Sequence, residues 1–474
     1  MLAELPGKFG WPHEDNPQER LLLDPLPQED MNRIMLRPMF RAGPAWWLIV
    51  ALLASVVLVC FVGAWAYMIR WGMGVAGIRR PVFWGIFIAT MVFWIGISHS
   101  GTFVSAILRV FNAEYRRPIT RAAELMTSFS LICAGMFPFV HLGRVWTVYY
   151  MIPMPNQRQL WSNFQSPLMW DMLAITTYLI GSTLYVYLPM IPDLAMARDH
   201  TTGWRHTLYK WLSLGWRGLE YEWHYLHKGI TIFAFAIIPV MFSVHTIVSW
   251  DFAMSMQVGW HSSIFGPYFV VGAIFSGVSA VITVLLIVRS TMRLEYFLRP
   301  EHFDALAKLV LIFSFAWTYF FFNDYLVEWY GGDWVGHQLL LFQARGPIAP
   351  LWYVMLLFNI VIPWLTLWNK RIRRSPVALF LITIGINIGM YLERVIIIPG
   401  FLQRGAMPFD WGEYTPQWPE VSIALGTLAL FILLYTVASK FIPLIPVWEV
   451  LEGQLSHTRR RIGRTVVTSV AELE

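Results

Sequence analysis

Charge is scarce in this chain. Of its 474 residues only 14% are Asp, Glu, Lys or Arg, while 57% are hydrophobic and 16% aromatic. A soluble globular chain carries about 25% charge, so this one cannot cover its own surface in water. Cysteine is scarcer still, with Cys60 and Cys133 both inside apolar runs. A self-contained iron–sulfur cluster needs about four thiolates, which excludes one here, and two cysteines give no sign of a disulfide framework. One-electron chemistry would then require a bound organic cofactor, haem or another subunit. The opening MLAELPGKFGWPHEDNPQERLLLDPLPQED is polar and proline-rich and lacks the basic-then-apolar order of a signal peptide. It is expected to be a surface arm, suited to lying on a partner.

What the chain has instead is apolar length. Ten segments are expected to cross a bilayer core of about 30 Å: 44–69, 81–108, 121–147, 168–190, 228–250, 265–288, 305–328, 348–368, 376–398 and 420–440. The fold class is therefore an all-α polytopic membrane protein. Between the fourth and fifth segments, WRHTLYKWLSLGWRG places Trp204, Leu208, Trp211, Leu212 and Gly215 on one helical face, as in a helix lying along the interface.

The net charge of +6 reads as membrane topology and not as a nucleic-acid surface, because the basic residues sit in short connections. Arg33, Arg37 and Arg41 precede the first segment. Arg109, Arg116, Arg117 and Arg121 lie between the second and third, and Arg198, Arg205, Lys210, Arg217 and Lys228 between the fourth and fifth. Arg289, Arg293, Arg299 and Lys308 follow the sixth, and Lys370, Arg371, Arg373 and Arg374 the eighth. Lys440 and the run 459–461 follow the tenth. The intervening loops are poorer, so both termini are expected in the cytoplasm.

EYRRPITRAAEL, from Glu114, resembles EYFLRPEHFDAL, from Glu295, with the Arg117-Pro118 and Arg299-Pro300 pairs 182 positions apart. Both join an inward-running to an outward-running segment, so the repeat is parallel and not inverted. It divides the chain into a cytoplasmic arm (1–43), a flanking helix (44–69), a first four-helix bundle (81–250), a second (265–398), another flanking helix (420–440) and a cytoplasmic tail (441–474). A chance match of Glu-Tyr and Arg-Pro remains the plain alternative.

Polar residues inside apolar segments then need a reason. In LICAGMFPFVHLGRVW, His141 lies about 30 Å beyond Arg121. Asp251, in VSWDF, lies about 34 Å beyond Lys228, and Arg394, in MYLERVIIIPG, about 30 Å beyond Arg374. Asp171, in SPLMWDML, opens the fourth segment on the same outer side. Four ionisable residues from four helices thus share one level near the outer boundary. A single one of them could simply meet headgroups and water. Arg394 is more telling, because VIIIPGF follows it, and an intramembrane cation calls for a partner such as Glu393. Two carboxyls, an imidazole and an arginine suit a quinol, whose hydroxyls need acceptors that take protons as electrons leave. His245 is expected to be a hydrogen-bonded core histidine.

A second set suggests a proton path. His99, in WIGISHSG, lies about 27 Å past Pro81 and so near the cytoplasmic end of its segment. Glu124 opens the third segment on that side, and Thr176, Thr177 and Tyr178 lie near mid-depth. In FFNDYLVEW, Asp324 lies near the outer level with Glu328 one turn on. The competing reading is that these groups pair with loop arginines and stitch helices together.

The motifs FVHLGR, MWDM, SWDF and YLERV, over about 40–440, resemble the NrfD-like (polysulfide reductase membrane-subunit) family, and within it the quinol-oxidising membrane subunits of bacterial alternative complex III. The resemblance implies a chain of the bacterial inner membrane that binds no haem or iron–sulfur cluster of its own. It implies quinol, by expectation menaquinol, held by His141, Asp171, Asp251 and Arg394. The implied partners are an iron–sulfur subunit on the periplasmic side, a multihaem cytochrome c and a second NrfD-like subunit lacking the site. The outer loops EWYGGDWVGHQLLLFQARGP and QRGAMPFDWGEYTPQWPE, rich in Trp and Tyr, suit docking of such a subunit. Three alternatives stay open: a structural paralogue without the site, a secondary transporter, and a di-haem cytochrome b. The last would need facing histidine pairs, and His99 has no expected histidine mate at its depth.

Overall fold

The computed structural model describes residues 28–40, 42–156, 158–455, 459–462 and 465–468. The arm expected over 1–43 therefore lies mostly outside the described residues. Among the described residues ten helices are long and apolar enough to cross a membrane: span 1 (Pro44–Trp71), span 2 (Ile86–Val110), span 3 (Thr120–His141), span 4 (Pro167–Asp199), span 5 (Glu220–Ala253), span 6 (Phe265–Met292), span 7 (Pro300–Tyr330), span 8 (Ala349–Thr366), span 9 (Pro376–Gly400) and span 10 (Trp418–Ala438). The protein is an all-α polytopic membrane protein, with a short ribbon of Arg459–Ile462 against Thr465–Thr468 near its C-terminus.

Local chemistry explains where the helices start and stop. Pro44, Pro167, Pro300, Pro350, Pro376 and Pro419 stand in first turns, where a missing N–H costs nothing and φ is already helical. Span 3 ends at His141 and not at 147, because Gly143 turns the backbone to φ 66° and a 3₁₀ segment, Val145–Met151, follows. Span 2 begins at Ile86, after extended Gly85, and continues through a π-helical turn, Phe103–Ile107, to Val110.

Packing separates a core from a lipid-facing shell. In their most apolar windows spans 2 and 6 are 89% and 72% buried, whereas spans 1 and 8 are 11% and 17% buried. Span 2 contacts span 3 through Gly101, where an added Cβ would lie 1.9 Å from Thr127 Oγ1. It meets span 6 where Gly277 lies against Ser100. Small residues allow this close approach, and van der Waals contact then holds helices that lipid alone does not push together. Span 10 lies against span 1, with Ser422 Oγ donating to the Cys60 carbonyl over 3.0 Å, and against span 2, with Trp94 Nε1 donating to Thr427 Oγ1 over 3.1 Å.

The expected interfacial helix is present as Trp204–Leu212. Trp204 and Trp211 are exposed, while Tyr209 is buried and its hydroxyl donates to the Phe441 carbonyl over 3.1 Å. At the same end, helix Val447–Leu455 is clamped by buried Glu449, which accepts from Arg109 over 2.7 Å and Arg116 over 2.8 Å.

Candidate functional site

Two carboxyls meet where span 4 begins and span 5 ends. Asp171 sits in the first turns of span 4 and Asp251 in the last turn of span 5, with their side chains close enough to interact. The preceding residues, Trp170 and Trp250, meet edge to face with ring centroids 6.3 Å apart. Among the described residues neither Asp171 oxygen, nor Asp251 Oδ1, has a donor. Two neighbouring carboxyls can hydrogen-bond to each other only if one of them carries a proton. His141 ends span 3, half-buried, and its Nδ1 is enclosed without a partner.

Arg394 belongs to a neighbouring arrangement. Its Nη2 lies 3.5 Å from Glu393 Oε2, giving it the acidic neighbour expected from the sequence. The guanidinium stacks over the Phe269 ring, 4.3 Å from the centroid, which suits a desolvated cation. Gly272 makes room for it, since a Cβ there would stand 3.0 Å from Arg394 Nη2. Glu393 Oε1 accepts from Trp317 Nε1 over 3.0 Å. Among the described residues no ion pair joins Arg394 to Asp171 or Asp251. The level shared by four residues along their helix axes thus resolves into an acid pair between spans 4 and 5 and a cation packed between spans 6 and 9.

Several expectations need correction. His245 is fully buried, but neither ring nitrogen has a hydrogen-bond partner among the described residues. His99 does have a histidine mate: its ring meets that of His245 edge to face, with centroids 4.7 Å apart. That spacing leaves no thickness for a porphyrin between them. His99 also stands at mid-span and not near the end, because span 2 starts later than Pro81 and runs on to Val110. Its Nδ1 and Nε2 face the carbonyls of Ile95 and Met241 at 2.7 and 2.8 Å. Thr176 and Thr177 point outward, and only Tyr178 turns inward, its hydroxyl 2.7 Å from Thr102 Oγ1 and 5.4 Å separating its ring from that of His99.

Glu124 is buried near the opposite end. Arg121 Nε is 3.8 Å away, yet among the described residues both Glu124 oxygens lack a hydrogen bond, because Arg121 turns its Nη2 to Asp193 at 3.0 Å. Tyr185 and Ser182, both buried on span 4, were not singled out from the sequence; the Tyr185 hydroxyl has no hydrogen-bond partner among the described residues. Nothing in an isolated Ser or Tyr within an apolar run marks the side it faces.

Asp324 and Glu328 line a cavity of about 430 Å³ at the end shared by spans 6 and 7, together with Ser262, Tyr325, Gln343 and Phe401. Asp324 accepts from Ser262 Oγ over 2.9 Å, and Glu328 lies against Gly336. Neither meets an arginine among the described residues. Part of the expected outer loop is in fact a helix, Trp334–Arg345, capped by Asp333, whose side chain accepts from Gly336 N over 3.3 Å.

A ten-span protein with two neighbouring carboxyls at one end and buried polar side chains between its helices is an integral membrane protein with polar groups inside its bundle. Residues 74–404 match the family model for Polysulphide reductase, NrfD. That is well over half of the chain, which therefore belongs to this family. The chain is 24% identical over 427 residues to a “Putative dimethyl sulfoxide reductase membrane subunit” of Halobacterium salinarum, covering 85% of this chain and 92% of that one. It is 23% identical over 421 residues to the Hdr-like menaquinol oxidoreductase integral membrane subunit of Archaeoglobus fulgidus, covering 85% and 96%. A shorter match, 26% identical over 144 residues, covers 29% of this chain and 32% of the menaquinone reductase integral membrane subunit of Nitratidesulfovibrio vulgaris.

Proposed function

We propose that this chain is the quinol-oxidising integral membrane subunit of a multisubunit electron-transfer complex, of the kind found in alternative complex III. The observation that carries the reading is the Asp171–Asp251 pair between spans 4 and 5, the first buried and the second half-buried, three of whose four oxygens have no donor among the described residues. A quinol hydroxyl supplies the missing donor. Two relatives named for menaquinol or menaquinone support menaquinol as the substrate.

On oxidation the quinol loses two electrons and two protons. The protons pass to Asp171, Asp251 and His141, whose side chains can accept and release them, and from there to water on the periplasmic side. The electrons leave to a docked iron–sulfur subunit and then to a multihaem cytochrome c, and the membrane part is made up by a second NrfD-like subunit. Arg394, held by Glu393 and Phe269, supplies fixed positive charge to the quinol's surroundings. Both termini lie in the cytoplasm, following the distribution of Lys and Arg, and the complex belongs in this reading to the bacterial inner membrane. Glu124, Tyr178 and His99 mark a proton path from the cytoplasmic side. Asp324 and Glu328 belong to a separate outlet in the second half of the chain.

The test is substitution of the pair. Asp171→Asn and Asp251→Asn should each abolish quinol-driven cytochrome reduction while the complex still assembles, since an amide is a near-isostere that cannot take the proton. Normal turnover in both variants removes the pair from the chemistry and the reading with it.

A further inference from the structure

The cavity where span 6 begins and span 7 ends, about 430 Å³, falls within the range of about 300–1,000 Å³ typical of small-molecule sites. Its place follows the internal repeat. Span 8 begins at Ala349, 182 positions after span 4 begins at Pro167, the same offset that separates the two Arg-Pro pairs. Under that offset Asp324 falls one position past the counterpart of His141. The cavity thus stands in the second half of the chain where the acid pair and His141 stand in the first.

Its polar groups have capacity to spare. The Tyr325 hydroxyl accepts from Trp352 Nε1 over 2.9 Å, so its own proton goes to Gln343 Oε1. That fixes which way the Gln343 amide points and leaves its NH2 as a donor. Gln343 is 1% exposed and lines the cavity, and its Nε2 has no acceptor among the described residues. Asp324 accepts from Ser262 Oγ, while Glu328, also in the wall, takes no hydrogen bond from the described residues. Ile264, Leu339 and Phe401 make the wall apolar elsewhere. Val327, which lines the cavity and is 70% exposed on span 7, opens it to the outside of the bundle.

These groups select a ligand. Among the described residues no Lys or Arg lines the cavity, so a phosphate headgroup would meet two carboxylates without a counter-charge. A bare cation would leave the Gln343 N–H unused. A hydroxyl on an apolar ring satisfies both, because it donates to a carboxylate and accepts from an amide. We infer that this cavity is a second quinol-binding site, with the hydroxyls donating to Asp324 and Glu328, one of them accepting from Gln343 Nε2, and the tail leaving past Val327. The assignment rests on the proposed function for the class of ligand and on this cavity for its place. Oxidation stays with the Asp171–Asp251 pair.

The full-length chain, purified in detergent and stripped of quinone, is titrated anaerobically with dithionite-reduced menaquinone-4, and bound quinol is counted by native mass spectrometry. Two quinols per chain are expected. Val327→Trp, at an exposed position that leaves the fold intact, should plug the opening and bind one. Gln343→Leu should weaken the second site roughly tenfold, the scale of one buried hydrogen bond. Both variants should keep quinol-driven cytochrome reduction in the assembled complex, which Asp171→Asn should lose. A single quinol on the unaltered chain, undiminished binding of two in either variant, or a partner side chain filling the cavity in the complex would overturn the second site and leave the proposed function standing. Full turnover in the Asp171 and Asp251 variants, with the second quinol still lost in Val327→Trp, would do the reverse.

Discussion

His99 and His245 touch edge to face at 4.7 Å in the middle of the bundle, yet their nitrogens are served in opposite ways. Both His99 nitrogens face backbone carbonyls, at 2.7 and 2.8 Å, which pins that ring to spans 2 and 5. Both His245 nitrogens are enclosed and have no partner among the described residues. His245 stands six residues before Asp251, about 9 Å along the helix, so a stationary ring abuts one with unused hydrogen-bonding capacity just below the acid pair.

This contrast predicts a split between stability and turnover. An unpartnered buried polar group costs about 1–3 kcal/mol, so His245→Phe, which keeps the ring contact, should leave thermal stability equal or higher. If the free nitrogens relay protons from the acid pair, quinol turnover should fall by at least about tenfold. Stopped-flow reduction and a thermal-shift measurement on one preparation decide it. Unchanged turnover makes His245 a packing residue only.

Glu124 gives a second prediction. Its carboxyl is buried 3.8 Å from Arg121 Nε with neither oxygen hydrogen-bonded, a poor geometry for a residue whose task is to stitch helices. Glu124→Gln should preserve electron transfer and lower the number of protons moved per electron, read with a pH dye in vesicles. An unchanged ratio assigns Glu124 to the Arg121–Asp193 scaffold.

How much of this was legible in the sequence depends on what a linear pattern encodes. Apolar length is a one-dimensional quantity, so all ten spans were recoverable, and Pro44, Pro167 and Pro376 marked helix starts to within a residue. Depth is also one-dimensional, which is why Asp171 and Asp251 could be put at one level. Azimuth is not. In a helix apolar on nearly every side, nothing indicated that Thr176 and Thr177 face outward while Tyr178 turns in, or that Arg394 packs on Phe269 and not beside the acid pair. Depth also fails when its origin is wrong, as for His99, counted from Pro81 although the helix begins at Ile86. The helix Trp334–Arg345 had a local signal, the capping Asp333 three residues before Gly336, that the surrounding glycines obscured.

The clamp on helix Val447–Leu455 predicts a pH dependence. Burial alone would push the Glu449 carboxyl up, but Arg109 and Arg116 outweigh it and bring it down to about 2 from the ordinary 4.5. A carboxyl depressed in the folded state stabilises above its ordinary value and loses that contribution as pH falls. The helix should therefore stay docked above pH 4.5 and loosen progressively towards pH 2, with roughly 3 kcal/mol at stake. Hydrogen exchange of 447–455, corrected for the intrinsic rate, follows it. In Glu449→Gln the helix should be loose at neutral pH and show little further change on acidification.

The last prediction concerns the contact that sets how closely spans 2 and 3 approach. A Cβ on Gly101 would lie 1.9 Å from Thr127 Oγ1 and 2.1 Å from the Ala123 carbonyl oxygen. The hydroxyl could rotate away, but the carbonyl belongs to the span 3 backbone, so the helices themselves must separate. Thr127 Oγ1 also donates to the Ser98 carbonyl over 2.7 Å, and that bond joins the same two spans. Gly101→Ala should thus cost about 1–3 kcal/mol, as overpacking does, and lower the melting temperature of the purified chain. Gly135 on span 3 has nothing within 4 Å of its hypothetical Cβ, and Gly135→Ala should be neutral or stabilise by up to about 1 kcal/mol through helix propensity. Equal melting temperatures for the two variants would mean that the two spans are not held at their present separation by these small residues.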